Sequence, residues 1–390
     1  MDSTRSLRTQ LSDFAVMLQD ELFPRLEATA GPLTAKLELF VACCATIPFR
    51  SLLPAAGKWN GRPAKDRLAI ARAFLAKSVF GLSHTRQLLE VLQRDQVLRG
   101  LCGWKTAREM PHESTFSRAF AEFAGAGLAQ AAHEAVIAAT QAHRLVGHIC
   151  RDATAIVARE RYPEPAAPPQ RRTKKKTGGR RKQRAHAFRK ETQEQRLAVA
   201  TRLEKQAATQ DVAAMLADVP TACDLGGKRA SHGNTHYWRG YKLHLDVADG
   251  QIPITALLTS ASVHDSQVAI PLMHITSKRV TYLYDLADSA YDAAAIRRTS
   301  IRLGHKPIID FHTRPAPVTQ LPCRVKPQPQ MSPAEHQRYR ERTLVERVFA
   351  RLKDEFGASS IRVRGPAKVM THLMFSVLAL TIDQTLRLAK

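Results

Sequence analysis

A change of residue pattern near residue 146 constrains the fold of this chain more than any other feature. Upstream of it, apolar residues recur at helical spacing, for example in residues 35–47 and 66–82. Downstream, short apolar runs rich in β-branched residues predict strands, and helical patterns follow them. Consecutive strands followed by helices are typical of an α/β domain whose sheet is flanked by helices. The sequence therefore predicts an all-helical N-terminal domain over residues 1–145 and an α/β domain over residues 146–390.

Individual elements can be placed within each predicted domain. In the N-terminal part, helices are expected over residues 11–22, 35–47 and 66–82, and another is expected to start with Ser114 or Thr115 as its cap. Strands are expected over residues 146–158, 241–248, 253–259, 279–287 and 306–310. Later helices are expected over residues 191–206, 292–304, 335–356 and 367–389. The N-terminal helix pairs, separated by short polar turns, suit a domain that reads DNA ends, although many helical bundles have the same pattern.

The charge of the chain points to a polyanionic partner. Lys and Arg total 59 against 35 Asp and Glu, a formal net charge of +24. Such a surface attracts a nucleic-acid backbone. Part of the excess lies in an insertion at about residues 160–235, where residues 171–190 hold eleven Lys or Arg and no acid. This segment cannot form a core, so we expect a flexible basic arm, which is either a solvated linker or a contact to DNA phosphates. The expected DNA contacts in it are Lys174, Lys175, Lys176, Arg180 and Arg181.

Other classes of protein are disfavoured by what the sequence lacks. Its six cysteines form no CxxC pair and no Cys/His spacing that suits zinc, so neither a zinc finger nor a disulfide framework is indicated. The N-terminus has no apolar run of signal-peptide length. The most apolar late stretch, residues 373–382, is about half the length that spans a bilayer. A cytoplasmic location close to DNA, without a membrane, is expected.

One predicted helix, residues 335–356, gathers polar residues on a single face. At about 100° per residue, Tyr339, Arg342, Glu346 and Lys353 share an arc of roughly 60°, and apolar residues fill the opposite side. This face could bind a ligand. The alternative is a solvated ion pair, because Arg342 and Glu346 have the i,i+4 spacing of ordinary surface pairs.

Two further acids favour a metal site. Asp152 lies inside a predicted strand, where Asp is disfavoured, and Asp288 lies at the end of another. Together with Glu346 they could hold two magnesium ions for an in-line displacement at phosphorus. Asp285 is interpreted as a strand residue, and Asp292 as a helix cap. Three histidines near the predicted core are interpreted as structural rather than metal ligands: His148, His244 and His264.

These residues also resemble a known family. The spacing Tyr339-x2-Arg342-x3-Glu346-x6-Lys353 matches the YREK signature of bacterial cut-and-paste insertion-sequence transposases of the DDE class. RDATAI around Asp152 and LADSAYD around Asp288 look like that family's first and second aspartate segments. GYKLHLDV and LTSASVHDS resemble its intervening strands, so the similarity spans about residues 146–390.

The resemblance implies a fold, an activity and partners. The fold would be an RNase H-like mixed sheet flanked by helices. Asp152, Asp288 and Glu346 would ligate Mg²⁺, with Mn²⁺ as a possible substitute, and catalyse cleavage and strand transfer. Tyr339, Arg342 and Lys353 would hold phosphates. The partners would be double-stranded DNA, as inverted-repeat ends and as target, and a second copy of the chain in a synaptic homodimer.

The sequence departs from some relatives in two respects. Members that pass through a DNA hairpin use a tryptophan between the second aspartate and the glutamate. Here the three tryptophans are Trp59, Trp104 and Trp238, so the hairpin step is in doubt. Only 57 residues separate Asp288 from Glu346, which is too few for the large β insertion of some relatives.

The sequence leaves two other functional hypotheses open. The chain could be a non-catalytic DNA-binding protein that occupies element ends, in which case it would bind them without magnesium and never nick them. It could also be a structure-selective nuclease of the same fold, which would cut without needing a particular repeat.

Overall fold

The N-terminal part of the molecule is helical. The computed structural model describes residues 32–53, 65–160, 199, 201–229, 235–311 and 331–389. The predicted helices over residues 35–47 and 66–82 are confirmed, and that over 11–22 lies outside the described residues. The helices here are α1 (Ala35–Thr46), α2 (Phe49–Leu52), α3 (Arg67–Val79), α4 (Thr85–Arg94), α5 (Gln96–Cys102), α6 (Glu113–Gly125) and α7 (Leu128–Gln141).

Side-chain caps explain where these helices begin. The Asp66 carboxylate accepts from the first free amides of α3, and Thr34 does the same for α1. The predicted cap of α6 was wrong. Its N-cap is His112, whose ring nitrogen accepts from the Ser114 amide at 3.2 Å, so Ser114 and Thr115 lie inside the first turn.

A mixed sheet follows, with six strands within the described residues. Its strands are β1 (Leu145–Val157), β2 (Asp224–Arg229), β3 (Thr235–Ala248), β4 (Ile252–Ser260), β5 (Thr281–Ala287) and β6 (Lys306–Ile309). β1 is central, antiparallel to β3 on one side and parallel to β5 on the other, and β5 is parallel to β6. β4 is antiparallel to β3 and therefore runs in the same direction as β1 and β5. All five predicted strands are confirmed.

One edge of β3 is shared by two partners, which the sequence did not predict. β2 pairs with its first half and β4 with its second half. Gly240 lies at the junction with φ +151°, and a Cβ there would lie 2.1 Å from the Ile156 carbonyl oxygen. Only glycine fits this approach of β3 to β1. The predicted insertion at 160–235 thus contains a strand of the sheet, while residues 161–198 lie outside the described part.

Helices cover both faces of the sheet. On one face lie residues 201–208 (α8), α9 (Val212–Ala217), α10 (Ala269–Arg279) and α11 (Ala294–Arg302). On the other lie α12 (Pro333–Tyr339), α13 (Leu344–Asp354) and α14 (Pro366–Ala389). The predicted helix over 335–356 is interrupted by a 3₁₀ turn at Arg340–Thr343. The predicted helices over 191–206, where described, and over 292–304 and 367–389 are confirmed.

The core centres on α14. This helix contacts α1, α3, α6 and α7 as well as β4, so the N-terminal helices and the sheet share one apolar core. In the described part of the chain it is long and apolar enough to cross a membrane, yet 83% of its apolar window is buried inside the protein. The length argument from residues 373–382 was therefore wrong, and burial identifies α14 as a core helix. The division at residue 145 stays a prediction.

Candidate active site

Three strands that run in the same direction, β1, β4 and β5, bring acidic residues to one edge of the sheet. Asp152 lies within β1, opposite Leu245 of β3. Asp288 is the first residue after β5 and caps a 3₁₀ turn, accepting from the Ala290 amide at 3.0 Å. Asp265 follows the end of β4 and starts another 3₁₀ turn. The register of β1 and β5, in which Arg151 pairs with Ala287, places Asp152 beside Asp288, and the direction of β4 brings Asp265 to the same side.

Burial and neighbouring charge shift the pKa values of these three carboxylates, raising those of Asp152 and Asp288 and lowering that of Asp265. The pKa of Asp152 is raised to about 6, mainly by burial, and the negative charges of Asp288 and Asp265 raise it further. Burial also raises the pKa of Asp288, and Asp265 contributes in the same direction. The pKa of Asp265 is lowered, because Lys242 and His244 outweigh the effect of its burial. Such a group of partly buried acids is short of positive charge, which suits a divalent cation with oxygen ligands.

The C-terminal helices place a cation beside these acids. The Arg342 guanidinium lies 3.9 Å from an Asp152 oxygen and 3.1 Å from a Glu346 oxygen. The same guanidinium lies 5.9 Å from the centre of the Tyr339 ring. The structure therefore brings three of the four predicted polar residues of this segment together with Asp152.

Lys353 lies farther along β1. Its ammonium donates to the Thr154 hydroxyl at 2.7 Å, two residues after Asp152. Burial lowers its pKa. Lys353 and Arg342 thus form a short row of cations along the strand, on the side where α13 packs.

The three predicted metal ligands are near one another but do not form a ready coordination shell. Within the described residues, no group of three His, Cys, Asp or Glu side chains is arranged to hold a metal ion. Glu346 contacts Arg342 instead, through an i,i+4 pair in which its side chain is 56% exposed. Pairs of this kind contribute only about 0.3–0.5 kcal/mol, so exchange of this contact for a cation costs little.

Besides Asp265, two residues near the site were missed from the sequence. Tyr291 is buried, and its hydroxyl has no hydrogen-bond partner among the described residues. Its pKa is raised by burial first and then by Asp265, Asp152 and Asp288, which places it near all three acids. Lys242 pairs with Asp265 at 2.9 Å, an ion pair that the sequence did not predict. Both contacts depend on tertiary packing between distant parts of the chain, which no local sequence pattern reveals.

Several other residues near the sheet were interpreted from the sequence as structural. Asp285 is buried and pairs with Arg151, as expected of a structural strand residue. The interpretation of Asp292 was wrong: α11 begins at an Ala293 cap, and Asp292 pairs with Arg297 at 2.9 Å. His244 contacts Thr259, and burial lowers its pKa to about 4, which suits a neutral core residue. The predicted arm residues lie outside the described part: Lys174, Lys175, Lys176, Arg180 and Arg181.

The raised pKa of Asp152 predicts a stability effect. Its folded pKa of about 6 lies above the ordinary value of 3.8, so the stability it supplies when protonated is lost as the pH rises through 6. In buffer with EDTA, we expect Asp152→Asn to increase the free energy of unfolding by about 1–3 kcal/mol at pH 8. The gain should shrink towards pH 4.5. Urea unfolding at both pH values measures it, and a gain that is equal at both would contradict the assigned pKa.

The helical N-terminal region, followed by a mixed sheet with flanking helices, agrees with an RNase H-like α/β fold. The comparisons with known families agree. The model of the transposase DDE domain matches residues 148–382, and that of a transposase domain, DUF772, matches residues 37–122. The chain belongs to the DDE transposase family. It is a DNA transposase, and its family depends on divalent metal ions. Neither the curated proteins nor the solved structures gave a match.

Proposed function

We propose that this transposase cleaves the ends of its mobile element and joins the 3′ ends to target DNA, with Mg²⁺ held by Asp152, Asp288 and Glu346. The observation that carries the proposal is the acidic edge beside Arg342, where burial raises the pKa of Asp152 to about 6. Ionised acids in that setting favour a divalent cation, and Mn²⁺ has the same preference for oxygen ligands.

The roles of the chain's own residues follow from their positions. The bound cations would activate a water or a 3′-hydroxyl and stabilise the leaving oxygen at phosphorus. Arg342 and Tyr339 lie beside the acids and Lys353 lies farther along β1, so together they can hold the phosphates that flank the reacting bond. These assignments agree with the YREK spacing of the resemblance.

The proposed reaction also implies the partners of the protein. Double-stranded DNA is the substrate, both as inverted-repeat ends and as target, and the basic segment that includes Lys174 and Arg180 would contact its phosphates. The helical part up to residue 145 would bind the element ends. A homodimer would pair two ends before cleavage, in the cytoplasm at the nucleoid.

The experiment uses labelled duplexes that carry the inverted repeats flanking the gene for this chain, with and without Mg²⁺. We expect magnesium-dependent nicks at the 3′ ends of the element, followed by joining to a target plasmid. Binding without any cleavage would instead indicate an end-binding repressor. Cuts of equal rate in a duplex with a scrambled repeat would indicate a nuclease.

Tyr291 offers a test of whether its hydroxyl serves the site. A buried hydroxyl without a partner costs about 1–3 kcal/mol, so Tyr291→Phe should leave stability unchanged or increase it. If the hydroxyl donates to a group bound at the acids, the same change should slow cleavage by about tenfold. Urea midpoints and single-turnover rates measure both effects. Unchanged rates would show that the phenol has no part in the reaction.

A further inference from the structure

A basic cavity lies apart from the acidic edge, between the N-terminal helices and the start of α14. Its volume is about 890 Å³. It is lined by α3, α4, α6, Arg159 just after β1, and the loop before α14. Glu113 is the one carboxylate among its lining residues. Its cationic lining residues are Lys77, Arg86, Arg159, Arg362, Arg364 and Lys368.

Lys77 is the buried cation of this cavity. Its side chain is 7% exposed, and its ammonium lies 3.4 Å from Nδ1 of His372. The other ring nitrogen of His372 lies 3.2 Å from the Gly357 carbonyl oxygen and donates to it, which leaves Nδ1 as an acceptor for Lys77. No carboxylate of the described residues pairs with Lys77, and burial lowers its pKa to about 8. A buried cation without an acidic partner favours an anion at the site.

The backbone around the cavity also contributes positive charge, through the N-termini of two helices. Arg86 lies in the first turn of α4, and Lys368 lies in the first turn of α14. Helix N-termini carry partial positive charge and bind phosphates. Glu160 ties the loop to the end of β1, since its carboxylate accepts from the Tyr241 hydroxyl and from the Gly365 amide. Through these hydrogen bonds, Glu160 fixes the backbone of the segment that carries the cations at residues 362–368. Its carboxylate is occupied by the Tyr241 and Gly365 donors.

The cavity is aligned with the acidic edge along β1. Arg159 follows Asp152 by seven residues, and Lys353 contacts Thr154 between them. β1 ends at Val157, so the seven residues from Asp152 to Arg159 span at most about 23 Å, which is at most about seven base pairs of duplex at 3.4 Å each. Arg342, Lys353 and Arg159 thus mark a cationic path from the acids to the cavity.

We propose that this cavity binds the DNA backbone of the element end held at the acidic edge, at phosphates within about seven base pairs of the reacting bond. The inference rests on the proposed function for the identity of the substrate. In this arrangement, the contact between the N-terminal helices and α14 determines how far the bound duplex extends from the acids.

The test measures duplex binding without divalent cations. The probe is a fluorescent 30-base-pair duplex that ends at the 3′ end of the element, in EDTA. The variant Arg362→Ala/Arg364→Ala/Lys368→Ala removes three exposed cations, so its urea midpoint should match the wild type. We expect Kd to rise at least tenfold and the slope of log Kd against log salt to fall by roughly 2–3. The control Lys278→Ala/Arg298→Ala/Arg302→Ala removes three exposed cations from α10 and α11, and its Kd should stay within twofold.

A chemically modified duplex locates the contact. Neutral methylphosphonates at roughly positions three to seven from the element end remove the charges that the cavity would bind. We expect this duplex to lose affinity for the wild type but not for the cavity variant. Equal losses in both proteins would overturn the proposal. A second result would also overturn it: the two proteins bind the duplex equally, but only the wild type binds inorganic phosphate. That result would indicate a site for a small anion. Because EDTA is present, either result is independent of whether the acids cut DNA.

Discussion

Replacement of Glu346 by Gln should reduce cleavage of element ends by at least about a thousandfold while DNA binding changes by less than about threefold. The amide keeps the shape of the side chain but loses the charge that holds a divalent cation, and such a ligand stabilises the transition state by several kcal/mol. Glu346 is 56% exposed and packs against little, so the variant should fold normally. The same result is expected for Asp288→Asn.

Glu341→Gln is the matched control. Glu341 is an exposed glutamate five residues earlier, within the 3₁₀ turn, and its replacement removes the same charge. Single-turnover cleavage in Mg²⁺ and anisotropy in EDTA measure the two effects separately. Full activity of Glu346→Gln, or an equal loss in Glu341→Gln, would sink the assignment of Glu346. The structure supplies the physical reason for the difference, because Glu346 shares Arg342 with Asp152.

Local sequence patterns predicted much of the fold and the chemical character of the candidate site. β-branched runs located β1 and β5, and carboxylates in unfavourable strand positions marked Asp152 and Asp288. These signals are local, because each depends on a few neighbouring residues. The assignment of these acids as metal ligands stays a prediction.

What the sequence did not predict depends on contacts between distant residues. β2 contains Gly226 and Gly227 and has weak strand propensity, and it forms because β3 offers it a paired edge. The 3₁₀ turn at Arg340–Thr343 interrupts a segment whose spacing reads as continuous helix. Asp265 became part of the acidic edge only once β4 was known to run in the direction of β1. Pairing partners and strand directions are tertiary information, so a single sequence leaves them open.

Arg151→Met should destabilise the protein by about 3–5 kcal/mol, because it leaves two buried carboxylates without their cation. The Arg151 guanidinium is 1% exposed and lies 2.7 Å from Asp246 and 3.2 Å from Asp285. The hydroxyls of Thr276 and Ser300 donate to the same two acids at 2.6 Å. These neutral donors cannot replace the lost charge.

The control for this change is Arg298→Met, which removes an exposed arginine paired with Glu204 on the surface. Exposed pairs contribute about 0–1 kcal/mol, so the urea midpoint of the control should hardly move. An Arg151→Met protein as stable as this control would mean that the two acids become protonated at little cost. The result also bears on the site, since Arg151 precedes Asp152 on β1 and its side chain lies on the opposite face of the sheet. If the buried cluster fixes that strand, a variant that remains folded at low temperature should also bind Mg²⁺ more weakly, which calorimetry would detect.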